Sequence, residues 1–322
     1  MKLSVIIPVY NAQNTIEKCV ESIVLQKSNW SDIEIIICND GSTDNSQEVL
    51  NALSSQYNWV IVAHLEKKGV SEARNYALSK VTGDYVWFID SDDYVSIDSL
   101  NLIYKSLYNS QIEVLHFGYL EETAVSFEKK LPKYNANIQI DGFEFLEKND
   151  GRLYLWNNIY KHSLLLESKA KFQESVNILE DAFFNLVVFS NAKHVAYLPE
   201  TLYTYCYNPN SISKNRNLDH LLKLGNSSKI IHFCIKKLRD SYNPGSREFS
   251  IIQDKLMHSV LGFFYSLMVQ KYPKEYVISI YKLYSSEYLI PIKKKQNNLK
   301  IAFFQICVNL KFPFLMLCKW YN

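Results

Sequence analysis

The sequence predicts a doubly wound α/β fold with a mostly parallel sheet, followed by a helical C-terminal extension. Between Leu3 and Ile89, apolar and β-branched runs alternate with stretches whose apolar residues recur at helical spacing, as in an α/β sheet. The runs are apolar throughout, which is typical of strands covered by helices on both faces. From Leu218 onward, Lys, Tyr and Phe are abundant and strand signals are few.

The first two strand–helix units follow each other closely. The first strand is predicted from Leu3 to Tyr10, and the next helix is expected to begin at Asn14, because Glu17 completes a capping pattern. The second strand is predicted from Ile33 to Cys38, and Asp44 is expected to cap the helix after it.

The third unit leads into an acidic cluster. A strand from Trp59 to Leu65 and a helix from Ser71 to Val81 precede a fourth strand from Asp84 to Ile89. That strand runs directly into Asp90, Ser91 and Asp92. Right-handed crossovers between such strands predict that their carboxyl ends meet at one edge of the sheet.

The pattern loosens after Glu121. A hairpin is predicted around Lys129 to Asn137, and helices near Gly142 to Lys148 and Glu180 to Ser190. We expect a boundary near residue 215, so that residues 1–215 form the larger domain and residues 216–322 a mostly helical region.

Composition excludes several classes of protein. Of the 322 residues 48% are hydrophobic and the net charge is +2, which indicates a globular protein and no nucleic-acid partner. The six cysteines form no C-x-x-C pair and the seven histidines no H-x-x-H group, so structural zinc and disulfides are not expected. The absence of a signal-peptide pattern predicts a cytoplasmic location.

Three polar clusters fall at predicted strand ends, where ligands collect in such sheets. They are Asn11, the turn-forming residues Asn39 to Ser42, and Asp90 to Asp92. The acidic triplet suits a hard cation that keeps phosphate in its coordination shell, although a solvated turn is the commoner explanation. Asp40 could accept the imide N–H of a uracil ring or belong to a simple turn.

Two further candidates lie on predicted helices. Arg74 is either a surface residue or the bidentate partner of a diphosphate or a carboxylate. Glu180 and Asp181 either favour the dipole of the helix they begin or supply a general base. The spacing alone leaves both alternatives open.

Together these residues resemble the family 2 glycosyltransferases, which have the GT-A fold. The resemblance covers about the first two-thirds of the chain and rests on five motifs in order: Val5 to Asn11, Asn39 to Asp44, Gly69 to Asn75, Gly83 to Asp93, and Leu179 to Asp181.

The resemblance implies an inverting transferase that moves a sugar from a UDP-sugar donor to an acceptor hydroxyl. Asp181 would be the base, and Asp92 would bind Mn²⁺ or Mg²⁺. Within the resemblance, Asp40 would recognise uracil and Arg74 would support the diphosphate. The residues implied to bind the nucleotide-sugar are Pro8, Val9, Tyr10, Asn11, Asp40, Arg74, Asp90 and Ser91.

The chain departs from the family pattern at three places. Lys67 and Lys68 precede Gly69 where the family often has Asn, Asn158 stands where Lys is usual, and Cys206 where Arg is common. We expect the segments of Asn158 and Cys206 to approach the acceptor or the diphosphate. A Q-x-x-R-W segment, typical of processive synthases, is absent, which favours addition of a single sugar.

The C-terminal tail combines lysines with apolar residues. Lys293 to Lys295 and Lys300 precede an apolar run from Ile301 to Leu310, and a second run follows from Phe314 to Cys318. The tail packs on its own domain, contacts an anionic bilayer or forms a subunit interface. Contact with the inner face of the membrane would fit a lipid-linked oligosaccharide acceptor in surface polysaccharide synthesis.

Two other functions compete with sugar transfer. A nucleotidyltransferase would need a basic, glycine-rich loop after the first strand, and the residues from Pro8 to Asn11 do not supply one. A non-catalytic nucleotide-sugar-binding module would be expected to lack Asp92 or Asp181, and both are present.

Overall fold

A ten-stranded sheet organises the N-terminal part of the chain. Its strands run in the order β3-β2-β1-β4-β9-β6-β10-β5, with β7 beside β6 and β8 beside β10. The strands are β1 Leu3–Val9, β2 Ile33–Asp40, β3 Val60–Leu65, β4 Tyr85–Phe88, β5 Tyr94–Val95, β6 Val114–Glu122, β7 Phe127–Lys130, β8 Gln139–Ile140, β9 Asn158–Lys161 and β10 Val195–Cys206.

The computed structural model describes residues 1–26, 30, 32–123, 126–132, 139–149, 153–176, 178–207, 217–293 and 298–321. The chain divides into two compact units, Met1–Pro209 and Asn210–Asn322. The boundary expected near residue 215 falls outside the described residues and stays a prediction.

Helices cover the sheet in the first unit and make up the described part of the second. The first unit contains α1 Ile16–Val24, α2 Ser46–Gln56, α3 Val70–Leu78, α4 Ser99–Leu107, α5 Gly142–Lys148, α6 His162–Glu167 and α7 Glu180–Phe189. The second contains α8 Leu218–Arg239, α9 Arg247–Val269, α10 Lys274–Ser286, α11 Leu299–Asn309 and α12 Phe312–Tyr321. The predicted fold class, with its helical C-terminal extension, is confirmed.

The parallel strands bring their carboxyl ends to one edge. β1 pairs in parallel with β2 and β4, and β2 with β3. Every residue of β1 and β2 is buried, as expected of strands covered on both faces. Val9 pairs with Asn39, so the loops after β1 and β2 begin at the same level.

The second half of the sheet is mixed. β9 is antiparallel to both β4 and β6, whereas β10 is parallel to β6 and antiparallel to β5. β7 pairs antiparallel with β6 and overlaps the predicted hairpin only at Lys129 and Lys130. Residues 133–137 of that hairpin lie outside the described ranges, so it stays a prediction. β10 returns the chain to β5, directly after the acidic cluster.

Two predicted helix caps are wrong. α1 begins at Ile16 with Thr15 as its N-cap residue, because the Ala12 carbonyl accepts the N–H groups of both Thr15 and Ile16 at 3.0 Å. Asn14 therefore lies in a tight turn before the helix. The N-cap residue of α2 is Asn45 instead of the predicted Asp44, although the Asp44 carboxylate accepts the N–H of the first helical residue, Ser46, at 3.0 Å.

The second unit has its own aromatic core. His232 on α8 bonds to the Tyr284 hydroxyl at 2.7 Å and to Ser259 Oγ at 2.8 Å. Burial lowers the pKa of His232 to about 3, so the ring is neutral.

No single described helix has the length and hydropathy of a membrane span. Helices α11 and α12 reach them only as a pair, which is bent by 111°.

Candidate active site

The loops after β1 and β2 hold each other in place. Asn11, with φ 53°, donates its backbone N–H to Ser42 Oγ at 3.0 Å, and its side chain accepts the Thr43 N–H at 2.8 Å. Asn tolerates this left-handed conformation better than most residues. The predicted nucleotide-binding residues from Pro8 to Asn11 thus continue from a buried strand into a fixed turn, where the Lys67 ammonium lies 3.8 Å from the Tyr10 ring centre.

Asp40 fixes the loop that leads into α3. Its side chain is buried and accepts the Lys68 N–H at 2.8 Å and the Gly69 N–H at 2.9 Å. Gly69 has φ 111°, which a residue with a Cβ rarely adopts. A carboxylate has about four acceptor positions, so these bonds leave Asp40 capacity for a ligand donor.

Arg74 joins three carboxylates from distant parts of the chain. One guanidinium nitrogen bonds to Asp90 at 2.9 Å, and the other to Asp181 at 2.9 Å and Glu180 at 3.2 Å. Only 5% of the Arg74 side chain is exposed, so the alternative of a surface arginine is wrong. The sequence analysis named a site carboxylate as one possible partner, and the structure contains three.

The charge balance of this cluster favours the ionised arginine. Burial acts to lower the pKa of Arg74, but Asp181, Asp90 and Glu180 outweigh it and raise that pKa. Its Nε atom is buried and has no partner among the described residues. The arginine can therefore accommodate one further acceptor.

Asp181 is held at the start of α7 with the properties of a base. Burial raises its pKa from 3.8 to about 8, against the lowering by Arg74 and with a further rise from Glu180 and Asp90. A pKa near the working pH suits a general base. About a quarter of the side chain, 26%, is exposed, which leaves the carboxylate accessible to a substrate.

Two features fix the position of α7, one just before its first residue and one in its second turn. Leu179, just before Glu180, has the left-handed angles φ 64° and ψ 5°, which are costly for a residue with a Cβ. One turn later, the buried Asn185 side chain accepts the Tyr160 hydroxyl at 2.6 Å and donates to the Tyr154 carbonyl at 3.0 Å. These contacts set where Asp181 stands.

The acidic cluster divides into residues with different roles. Asp93 is 2% exposed and accepts the Tyr203 hydroxyl at 2.6 Å and the Cys206 N–H at 2.7 Å. The Tyr203 oxygen in turn accepts the Asp90 N–H at 3.1 Å. Burial and the charges of Asp90 and Asp92 raise the pKa of Asp93. Asp93 thus anchors the cluster to β10, a role that the local sequence does not indicate.

Asp92 lines a cleft beside this anchor. The cleft has a volume of about 510 Å³ and is lined by Asn14, Thr15, Lys18, Asp92, Asp93, Glu122, Thr123, Cys206 and Tyr207. The Cys206 thiol donates to Glu122 at 3.3 Å. Burial raises the pKa of Cys206 to about 12, so the thiol that lines this cleft is neutral.

The described residues fit a metal that arrives with its substrate. No group of three or more His, Cys, Asp or Glu side chains among them is arranged to hold a metal ion. Asp90 bonds to Arg74 and Asp93 to Tyr203, and Asp92 lines the cleft. Mg²⁺ and Mn²⁺ are commonly held by one or two carboxylates together with substrate phosphates, and Asp92 meets that requirement.

Asn158, whose segment is expected near the acceptor or the diphosphate, has its side chain inside the sheet. It is 2% exposed in β9, bonds to His116 at 2.8 Å and donates to the Tyr154 carbonyl at 2.7 Å. An amide fits this position because burial lowers the pKa of His116 to about 4 and keeps that ring neutral. Ser91 is half-buried between Asp90 and Asp92, and its role stays a prediction.

Comparisons with known proteins identify the family. The family model described as glycosyl transferase family 2 matches residues 4–166. The uncharacterized glycosyltransferase EpsJ of Bacillus subtilis is 32% identical over 218 residues, which cover 66% of this chain and 63% of that protein. A poly(ribitol-phosphate) beta-glucosyltransferase of Bacillus spizizenii is 30% identical over 210 residues, 64% of this chain and 32% of that protein.

A solved structure matches the whole chain in fold. The crystal structure of S. aureus TarS 1–349 in complex with UDP has a TM-score of 0.71 and 18% sequence identity, covering 100% of this chain and 91% of that chain. At this identity the likeness concerns the fold. The chain spans less than two-thirds of both curated relatives named above.

Proposed function

The chain belongs to glycosyl transferase family 2, and on that premise we propose that it moves one sugar from a UDP-sugar to an acceptor hydroxyl, with inversion at the anomeric carbon. Family membership makes it a glycosyltransferase with a GT-A-type fold. This membership leaves the nucleotidyltransferase alternative without support. The donor, the metal and the stereochemistry are the proposed parts.

The observation that carries the proposal is the Arg74 cluster. A carboxylate whose pKa is raised to about 8, Asp181, lies within hydrogen-bond distance of Arg74, which also holds Asp90 at the end of β4. In the proposed reaction, Asp181 removes the proton from the acceptor hydroxyl, and that oxygen attacks the anomeric carbon from the face opposite the leaving UDP. Such base catalysis typically contributes ~10² to 10⁴-fold.

The nucleotide end of the donor is proposed to lie along β1 and β2. Pro8 to Asn11 would line the nucleotide, and Asp40 would accept the uracil imide N–H beside the Lys68 and Gly69 bonds it already makes. Arg74, which holds Asp90 at the end of β4, would support the diphosphate side of the donor. The UDP complex of the structurally similar TarS supports the choice of nucleotide.

The cofactor is proposed to be Mn²⁺ or Mg²⁺, held by Asp92 and the donor diphosphate. When bound, the metal would neutralise negative charge that develops on the departing diphosphate. Asp93 and Tyr203 would act by holding the loop that carries Asp92 against β10.

The acceptor is proposed to be a glycan, in the form of a lipid-linked oligosaccharide used for surface polysaccharide synthesis. The relative named for poly(ribitol-phosphate) glucosylation supports an acceptor of polymer type. We also propose that the protein works in the cytoplasm at the inner face of the membrane.

The test is UDP release from a panel of UDP-sugars, with Mn²⁺ and then with EDTA. Asp181→Asn is expected to lower transfer by ~10² to 10⁴-fold while UDP still binds, because the amide cannot take the proton. The pH profile of wild-type kcat/KM should rise through about pH 8, since the base acts when ionised. Asp98→Asn, an exposed carboxylate in the left-handed region, is the matched control.

Two results would contradict the assignments. Full transfer by Asp181→Asn would remove that residue as the base. Tight, metal-dependent UDP binding by Asp92→Ala would remove the metal assignment. If no donor is turned over and UDP binds neither with nor without metal, the UDP-sugar proposal is wrong.

A further inference from the structure

Helix α11 exposes a stripe of large apolar side chains. Leu299, Phe303, Ile306 and Leu310 follow one another at intervals of four, three and four residues, which places them on one face of the helix. Their exposed fractions are 88%, 63%, 55% and 60%. Phe312 and Met316, four residues apart on α12, are also exposed, at 70% and 50%. We call these six residues the α11–α12 surface.

This stripe is distinct from the face with which α11 packs on its own unit. Cys307 and Val308 are buried on α11, and the Phe304 ring lies 5.7 Å from that of Tyr265 on α9. On α12, Phe314 is fully buried, with its ring 5.2 Å from that of Phe264. The helices therefore have a core face already, and the exposed stripe is additional.

The charged residues of the segment that carries this surface have one sign. From Tyr288 to the end of the sequence there are six lysines, whereas all 33 Asp and Glu residues of the chain precede Tyr288. Of these lysines, Lys293, Lys300 and Lys311 are exposed. Apolar side chains next to lysines, without acidic residues, are the composition that binds an anionic bilayer surface.

The helices are too short to cross a bilayer. At 1.5 Å per residue, the eleven residues of α11 extend about 16 Å, roughly half of the ~30 Å hydrocarbon thickness. The chain bends by 111° between α11 and α12, and the exposed Lys311 lies at the bend. This geometry suits helices that lie in the interface with their apolar side down.

We propose that the α11–α12 surface docks onto the headgroup region of an anionic lipid bilayer. A second copy of the chain is a poorer occupant, because a two-fold interface brings the same patch of each subunit together. That arrangement would place lysines against lysines without a carboxylate from this segment. Anionic lipid headgroups supply the opposite charge, and the acyl region accepts the apolar side chains.

Membrane docking would be useful only if the proposed function is right, because an enzyme that adds sugars to a lipid-linked acceptor has to reach that acceptor at the membrane. The docking itself is a property of the second unit and needs neither donor nor metal. Lipid binding and UDP binding can therefore be measured separately on the same protein.

The test is co-sedimentation of the full chain with vesicles of phosphatidylcholine containing phosphatidylglycerol, compared with phosphatidylcholine alone. Phe303→Gln combined with Ile306→Gln should weaken partitioning at least ~10-fold, because both side chains lose their burial in lipid. Leu25→Gln with Ile97→Gln, at 81% and 95% exposure in the first unit, is the matched control and should partition like wild type.

A second pair of variants tests the charges. Lys293→Gln with Lys300→Gln should weaken binding to anionic vesicles by at least ~10-fold and reduce its salt dependence. Lys271→Gln with Lys274→Gln, exposed lysines of the same unit, should have little effect. Release of bound protein by high salt or carbonate would agree with interfacial docking.

Three outcomes would overturn the proposal. Equal partitioning of Phe303→Gln/Ile306→Gln and wild type would remove the surface as the contact. Retention after carbonate would indicate an embedded segment instead. Self-association that the same variant abolishes, without vesicle binding by wild type, would identify a subunit interface. UDP binding by each variant in solution shows whether the first unit is intact, so failure of the docking proposal is distinguishable from failure of the proposed function.

Discussion

The Arg74 cluster and the α11–α12 surface reverse the usual distribution of residue types in opposite ways. In the first unit, a guanidinium with 5% exposure is buried with three carboxylates. In the second, large apolar side chains are 50% to 88% exposed. Buried charge and exposed apolar area both raise the free energy of a protein unless a partner compensates.

The difference lies in where the partner comes from. The partners of Arg74 are Asp90, Glu180 and Asp181, all supplied by the chain itself. The α11–α12 surface is exposed, and no described part of the chain covers it. The charges of the Arg74 cluster are therefore compensated within the protein, whereas the exposed apolar side chains would be compensated by binding to a partner.

The largest effect on stability is expected from a substitution of Arg74. Arg74→Met should lower the free energy of unfolding by roughly 3 kcal/mol, because three carboxylates then share a largely buried space without a cation. The estimate is at the low end of the usual range, since Asp90 and Asp181 are partly exposed. Urea unfolding measures it.

The control for Arg74 is an exposed ion pair. Lys148→Met, which removes a bridge to Glu144 on the surface of α5, should cost roughly 0.5 kcal/mol or less. Equal losses for the two variants would contradict the view that Arg74 compensates buried charge.

A smaller effect is expected from the pH dependence of stability at Asp181. Its pKa is raised to about 8 in the folded protein from an ordinary value of 3.8, so between these values the folded state binds more protons than the unfolded state. Stability then falls as pH rises through this window. Asp181→Asn lacks this term, and its stability relative to wild type should increase by roughly 2 kcal/mol between pH 5 and pH 8, discounted for partial exposure.

Urea unfolding of both proteins at the two pH values measures this difference. A constant difference across the window would mean that Asp181 titrates normally. If Asp181→Asn gains stability and loses transfer, the protonation behaviour of Asp181 serves transfer and lowers the free energy of unfolding.

The smallest effect is expected at the exposed surface. Phe303→Gln with Ile306→Gln should change the free energy of unfolding by less than ~0.5 kcal/mol, because these side chains are already in water and Gln is a good helix former. Val308→Gln, on the buried face of the same helix, should destabilise by ~2 kcal/mol or more. Thermal unfolding of both variants compares the two faces; similar losses would mean that the stripe packs within the protein.

The sequence predicts strands, helices and turns, which depend on neighbouring residues, but it does not predict contacts between residues that are far apart in the chain. The units from β1 to β4 follow from apolar runs and turn residues next to each other in the chain. The partners of Arg74 on α7 are 106 and 107 positions away, and Tyr203 is 110 positions from Asp93. Local patterns contain no information about such pairs, so Arg74 stayed undecided and the anchoring of Asp93 was not predicted.

The antiparallel strand β9 was missed for a related reason. It has four residues between β4 and β6, too few to show a period. The resemblance to the family therefore suggests a position near substrate for Asn158, whereas in the sheet its side chain bonds to the buried, neutral ring of His116.

Leu179 bears on how this protein can evolve. A leucine with φ 64° stands directly before the acidic start of α7, where the left-handed conformation costs roughly 1 to 2 kcal/mol and disfavours β-branched residues most. Glycine would remove that cost, but it would also let the chain enter the helix at other angles. At position 179, β-branched residues should therefore raise the energy of the turn, whereas asparagine and glycine should lower it, and glycine would in addition loosen the angle at which Asp181 is presented.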